Sequence, residues 1–136
     1  MNRIITPEFL ILNAATVVAP ATTKTGTTFA CADFQHIGLC LSSSGTAAFT
    51  IKFQGSNADT CPDFSAAVTN TNRWGYIQVK DLNTNAAIDG STGVAYAADG
   101  LNQYEANVNG LKWICATITL FSQGAVSLRA TGFTNA

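Results

Sequence analysis

The sequence predicts an all-β fold, an antiparallel β-sandwich of the jelly-roll kind led by an extended N-terminal arm. Three observations predict it. Beyond residue 35, apolar and polar residues alternate with period two in run after run. Gly, Asn, Asp and Ser punctuate those runs, and no helix-period segment stands between them. The polar residues are mainly Thr, Asn and Ser, while the charged share is 11%, less than half of the usual ~25%. Branched Thr suits a pleated surface, and Asn and Gly tolerate positive φ in turns. Glu8 and Glu105 are the only glutamates, a poor supply for long solvated helices.

Residues 1–28 differ from the rest. They hold Pro7 and Pro20, the apolar run Phe9-Leu10-Ile11-Leu12, and a Thr-rich stretch from Thr22 to Thr28. The expectation is an arm or edge strand followed by a polar loop. Phe9, Leu10, Ile11 and Leu12 would then contact a neighbouring subunit, because an apolar run on an exposed edge is a hazard unless covered. The competing expectation makes the run the first core strand of its own domain.

Residues 29–136 form the predicted sandwich domain of about eight strands. Gln35–Ser42 places Ile37, Leu39 and Leu41 on one face, and Thr46–Gln54 does the same with Ala47, Phe49, Ile51 and Phe53. Ser43-Ser44-Gly45 between them reads as a hairpin turn. The connection 55–73 is polar, with room for a helical turn near 63–68. Trp74–Leu82 reads as a strand, and another lies near 94–97. Gln103–Val108 runs into Asn109-Gly110, the strongest short hairpin signal. A long strand, Leu111–Phe121, follows with Ile114, Ala116, Ile118 and Leu120 on one face. Ser122-Gln123-Gly124 turns the chain into a last strand, Ala125–Phe133.

The function classes narrow from here. At a formal net charge of -1, seven Lys and Arg scattered along the chain leave no basic footprint for nucleic acid or for a membrane surface. The longest apolar stretch, Phe9–Ala21, is interrupted by Asn13 and Pro20, so no transmembrane helix is expected. Arg3 alone is a poor start for a secretory signal. The expected compartment is therefore a cytoplasm, where Cys31, Cys40, Cys61 and Cys115 remain free thiols. No CxxC pair accompanies the single histidine, His36, so no metal centre is expected. Asp81-Leu82-Asn83-Thr84-Asn85 imitates a calcium loop. It has Ala86 and Thr92 where that loop needs Gly and Glu.

No nucleophile motif accompanies His36, and Asp63, Asp89 and Asp99 stand beside Pro or Gly, where Asp favours turns. No catalytic residue and no cofactor are expected. Trp74 and Tyr76, beside Arg73 in a polar stretch, are candidates for a surface aromatic contact with a sugar or receptor. Trp113 and Tyr104 are expected to pair across the Asn109-Gly110 hairpin instead. So sparse a charge gives little electrostatic protection against association, which points to a surface covered by neighbours.

Two segments carry a resemblance. The stretch Gly45-Thr46-Ala47-Ala48-Phe49-Thr50-Ile51-Lys52-Phe53-Gln54-Gly55-Ser56 resembles the strand of small tailed-bacteriophage virion proteins that ends in a Gln-Gly-Ser-like turn. Residues 104–133 resemble their closing part, from Asn-Gly through Leu-Lys-Trp-Ile to Gly132-Phe133. The resemblance implies a capsid cement or decoration protein, bound as a homo-oligomer, dimer or trimer, over the major capsid protein of the virion. The alternative is a carbohydrate- or receptor-binding module of head-fibre, tail or adhesin type.

Overall fold

A computed structural model describes residues 3–135. Two very long strands organise it: β5 (His36–Ser56) and β11 (Trp113–Asn135). They pair antiparallel along nearly their whole lengths, forming one ribbon. Nine shorter strands complete an eleven-stranded antiparallel sheet. Along β11 lie β1 (Arg3–Ile5), β2 (Phe9–Ala15), β3 (Lys24–Thr25) and β4 (Phe29–Ala30). Along β5 lie β6 (Gly75–Tyr76), β9 (Val94–Tyr96) and β10 (Leu101–Asn107). Outside β10 come β7 (Val79–Asp81) and then β8 (Ala87–Ile88). No helix occurs among the described residues.

The ribbon bends in the middle. Leu41 faces Leu128 before the bend and Ile51 faces Ile118 after it, so the same register resumes. Between these pairs the ladder is interrupted near Thr119–Ala125, where Gly45, Thr46, Leu120 and Gly124 all take positive φ. Extra residues in one strand kink a ladder and increase its twist without ending it. The two Gly-containing triplets that read as hairpin turns are therefore the two sides of one corner. Their Gly and Ser residues look like turns in sequence because the backbone conformations are the same. Opposed to each other, they bend a double strand.

Period-two alternation survives in β5 on both sides of the corner and in β11 beyond it, whereas Ile114 to Ile118 of β11 are all buried, on both faces. Ile37, Leu39, Leu41, Phe49, Ile51 and Phe53 of β5 are buried, as are Ile114, Ala116, Ile118, Val126, Leu128 and Ala130 of β11. All belong to one core. The halves meet through Phe53 and Tyr104, whose ring centroids are 5.4 Å apart. Tyr96 stacks on Phe49 at 5.0 Å, and its hydroxyl lies 2.5 Å from that of Tyr104. One hydrogen-bonded sheet folding over its own core replaces the two separate sheets expected of a jelly roll.

Asn109-Gly110 is a turn but not a hairpin. Leu111 N donates to Val108 O across it, and Gly110 has φ +88. The strands it joins do not pair with each other; both pair with β5, in different halves. The expected Trp113–Tyr104 pair is accordingly absent. Tyr104 is fully buried, and Trp113 donates its indole N–H to Ala58 O at 2.9 Å.

The N-terminal segment is stitched into the same sheet. β1, β2, β3 and β4 each pair with β11. Ile11 and Leu12 are each 2% exposed inside the chain's own core, and Phe9 packs against Phe29 at 5.3 Å. The apolar run is a strand of its own sheet rather than a free arm, since its side chains have a core to enter. The motif Gln54-Gly55-Ser56 also gains a physical reason. Gln54 donates to Phe64 O and Ser56 to Arg73 O, tying down the long polar connection. Gly55 leaves space that the Ile77 and Leu111 side chains fill, 2.8 and 3.0 Å from where a Cβ would stand.

Candidate functional site

Four of the six aspartates hold the backbone. Asp63, Asp81 and Asp89 each accept a backbone N–H from two residues onward, at 2.8–2.9 Å. Asp99 accepts from Thr46 and Ala47 N and so braces the corner. Asp59 pairs with Lys112. The calcium-like run from Asp81 is the β7–β8 hairpin loop. Its carboxylate takes the N–H groups of Asn83 and Thr84 and the Asn102 amide, and Asn85 sits at φ +62. No group of three or more metal-ligating side chains gathers among the described residues.

All four cysteines are free thiols. Burial pushes the Cys31 and Cys115 thiols up to about 11. Both act as small apolar groups. Cys40 is half-buried and Cys61 exposed.

Trp74 and Tyr76 lie side by side. Their rings meet edge to face at 5.2 Å, and Trp74 rests on buried Phe64 at 5.9 Å. The Trp74 indole donates to Ala66 O at 3.0 Å, which fixes the ring. Tyr76 remains 44% exposed, with the Lys52 ammonium 5.8 Å from its ring centre. Trp74 is partly consumed by the core.

Two further features escaped the sequence reading. The first is the corner itself. Val18 is 82% exposed, Leu101 72% and Leu120 74%. The 16–23 loop passes along the bend, bonded through Phe121 N to Thr22 O, while Leu101 pairs with Ser42 on its other side. Val18, Leu101 and Leu120 thus lie on segments that flank the bend, which Asp99 braces. Leu120 takes φ +52, a conformation costing a non-glycine residue about 1–2 kcal/mol.

The second is a groove of about 430 Å³ on the outer face of the half that holds β10. Its floor is β10, β5 and β11 side by side, with the Phe133 ring lying over Gly38. His36 Nδ1 stands 3.2 Å from Glu105 Oε1, shut from solvent and out of line for a hydrogen bond. Arg129 Nε stands 3.6 Å from Glu8 Oε2, and its Nη1 donates weakly to Ser42 Oγ at 3.4 Å. The signal was present in the outward positions 36, 38 and 40 of β5. It was unreadable without knowing that β10 and β11 flank that half of β5.

No family model matches this chain, and neither does any curated protein. A solved structure does. The chain overlays on the crystal structure of the SPBc2 prophage-derived protein YomS with a TM-score of 0.70, covering 98% of this chain and 96% of that one. This chain has the fold of a prophage-derived protein. Sequence identity to YomS is 12%, so the likeness is one of fold. The bent ribbon, its flanking strands and the N-terminal strands all fall within the shared span.

Proposed function

We propose that this chain is a structural protein of a tailed-phage particle. It decorates the head, binding the major capsid protein as a homo-oligomer, a dimer or trimer, without catalysis or cofactor and without contact to nucleic acid or membrane. The observation that carries this reading is the overlay on the prophage-derived protein YomS across nearly the whole of both chains. The exposed side chains of Val18, Leu101 and Leu120 support it by offering apolar surface that neighbouring subunits would cover. Employment of the aspartates in turns and ion pairs supports the non-catalytic part.

Each subunit contributes one modest contact. An oligomer links two or three of them, which raises avidity by about 10²–10⁴ over a single contact. A protein that binds the assembled shell stabilises it by mass action. With few charges in the contact, salt weakens it little, whereas a charge-driven clamp is screened within about 8–10 Å. The test compares the heat resistance of particles with and without the protein, at low and high salt. Higher resistance at both salts is expected; equal resistance overturns the decoration role.

The Trp74–Tyr76 corner favours a second reading, a sugar- or receptor-binding module. A glycan-array signal lost on Trp74→Ala, with capsid binding absent, selects it.

A further inference from the structure

Asn109-Gly110 joins β10 to β11, two strands that pair with β5 and not with each other. Leu111 N donates to Val108 O at 2.9 Å, and of the two central residues only Gly110 has positive φ, at +88, which makes the turn type II. Such a turn asks for glycine second but not for asparagine first. Both residues are exposed, and a Cβ on Gly110 would meet nothing within 4 Å. Among the described residues, the Gly110 N–H has no acceptor and the Asn109 carboxamide has no partner; the Asn109 backbone N–H donates to Asn107 Oδ1 at 3.1 Å. An amide nitrogen and a side-chain carbonyl that can close a five-membered ring thus stand side by side, unrestrained.

The comparable places in the chain are held. At Asp89-Gly90 the carboxylate takes Ser91 N and Oγ, and Gly90 is packed against Ile77 O. At Asp99-Gly100 the carboxylate takes Thr46 N and Ala47 N, while Gly100 N donates to Ser43 Oγ. The amides of Asn72, Asn83 and Asn102 are all hydrogen-bonded.

We propose that Asn109 is a site of spontaneous covalent modification, converting to aspartate and isoaspartate through a succinimide closed by Gly110 N. Asparagine is among the thermolabile residues, and the chemistry is redox-neutral. The Gly110 nitrogen loses its proton to base and bonds to Asn109 Cγ. The bond from Cγ to the carboxamide nitrogen breaks, and that nitrogen leaves as ammonia. The ring then takes up one water. Opening at the side-chain carbonyl gives aspartate, and opening at the main-chain carbonyl gives isoaspartate, in which the main chain runs through Cβ and Cγ. Either product adds one negative charge, taking the formal net charge from -1 to -2. Aspartate suits the turn as well as asparagine does. Isoaspartate does not, because it lengthens the main chain between Val108, buried in the core, and Leu111, whose side chain fills the space over Gly55.

The full chain is incubated folded in mildly acidic and in mildly alkaline buffer, and unfolded in urea. Peptide mapping by mass spectrometry locates each conversion, and an isoaspartyl carboxyl methyltransferase counts isoaspartate. In the folded chain Asn109 should convert several-fold faster than any other asparagine, faster in alkaline than in acidic buffer, and within several-fold of its own rate in urea. Gly110→Ala should slow it several-fold, since a Cβ hinders the attacking nitrogen; with nothing within 4 Å, that variant keeps its fold. The isoaspartyl form, once separated, should unfold at lower urea than Asn109→Asp. Three results would overturn the proposal: Asn109 intact in the folded chain while it converts in urea, earlier conversion at another asparagine, or an unchanged rate in Gly110→Ala.

Discussion

Gly124 is where the bent ribbon is most exposed to test. It has φ +86, and a Cβ added there would stand 2.4 Å from Ser44 O and 2.8 Å from the Ala47 Cβ. Gly110 provides the comparison, with φ +88 but nothing within 4 Å. Forcing alanine to positive φ costs about 1–2 kcal/mol. Stiffening the unfolded chain returns about 0.4–1 kcal/mol. Gly110→Ala should therefore destabilise by about 0.5–1 kcal/mol. Gly124→Ala meets the same conformational cost and must also push backbone apart at the corner, which adds about 1–3 kcal/mol. Its total is about 2–4 kcal/mol. With a urea slope of about 2 kcal/mol/M, the unfolding midpoint should fall by about 1–2 M for Gly124→Ala and by a few tenths of a molar for Gly110→Ala. Equal midpoints for the two variants would mean that Gly124 and Ser44 are not opposed. The corner would then be two ordinary hairpin turns after all.

Other outcomes follow from the same geometry. Ile11→Ala should cost about 2–5 kcal/mol in urea unfolding, and removing residues 1–15 should unfold the protein; a stable, soluble truncation would restore the free-arm reading. Iodoacetamide should label Cys61 first and Cys40 next, and reach Cys31 and Cys115 only in denaturant, because burial raises those two thiols to about 11. Hydroxyl and backbone hydrogen bonds from Ser65 and Ser91 hold the Asp63 and Asp89 carboxyls below their usual range. A depressed folded-state value stabilises above the unfolded value of about 3.9 and loses that contribution as pH falls through the folded one. Stability should thus decline below about pH 4, less steeply in Asp63→Asn and Asp89→Asn; identical acid profiles for wild type and variants would contradict this.

Much of the fold was legible because its code is local. The inward faces of β5 and β11 can be read residue by residue, and each inward position named from sequence between Ile37 and Leu120 is buried except Leu120 itself. Leu120 fails because the corner gives it φ +52 and turns it outward. Pairing was less legible. Asn109-Gly110 specifies a tight turn but not which strands its flanks will join. Ser43-Ser44-Gly45 and Ser122-Gln123-Gly124 become a corner because each is placed opposite the other, a fact some 80 residues distant in sequence. The apolar run at Phe9–Leu12 has one pattern for two fates, since strand addition to a neighbour and pairing within the chain bury the same side chains. Of the candidate contacts, Trp74 and Tyr76 were visible as aromatics in a polar segment. The groove and the exposed apolar side chains beside the bend were not, because each set draws on three or more separate segments.

The central claim, that this chain is a structural component of a phage head, is tested most directly by quantitative mass spectrometry of purified particles. The account predicts this protein at a fixed copy number relative to the major capsid protein, retained through high-salt washing. Its absence from purified particles, or a trace amount removed by salt, would contradict the claim.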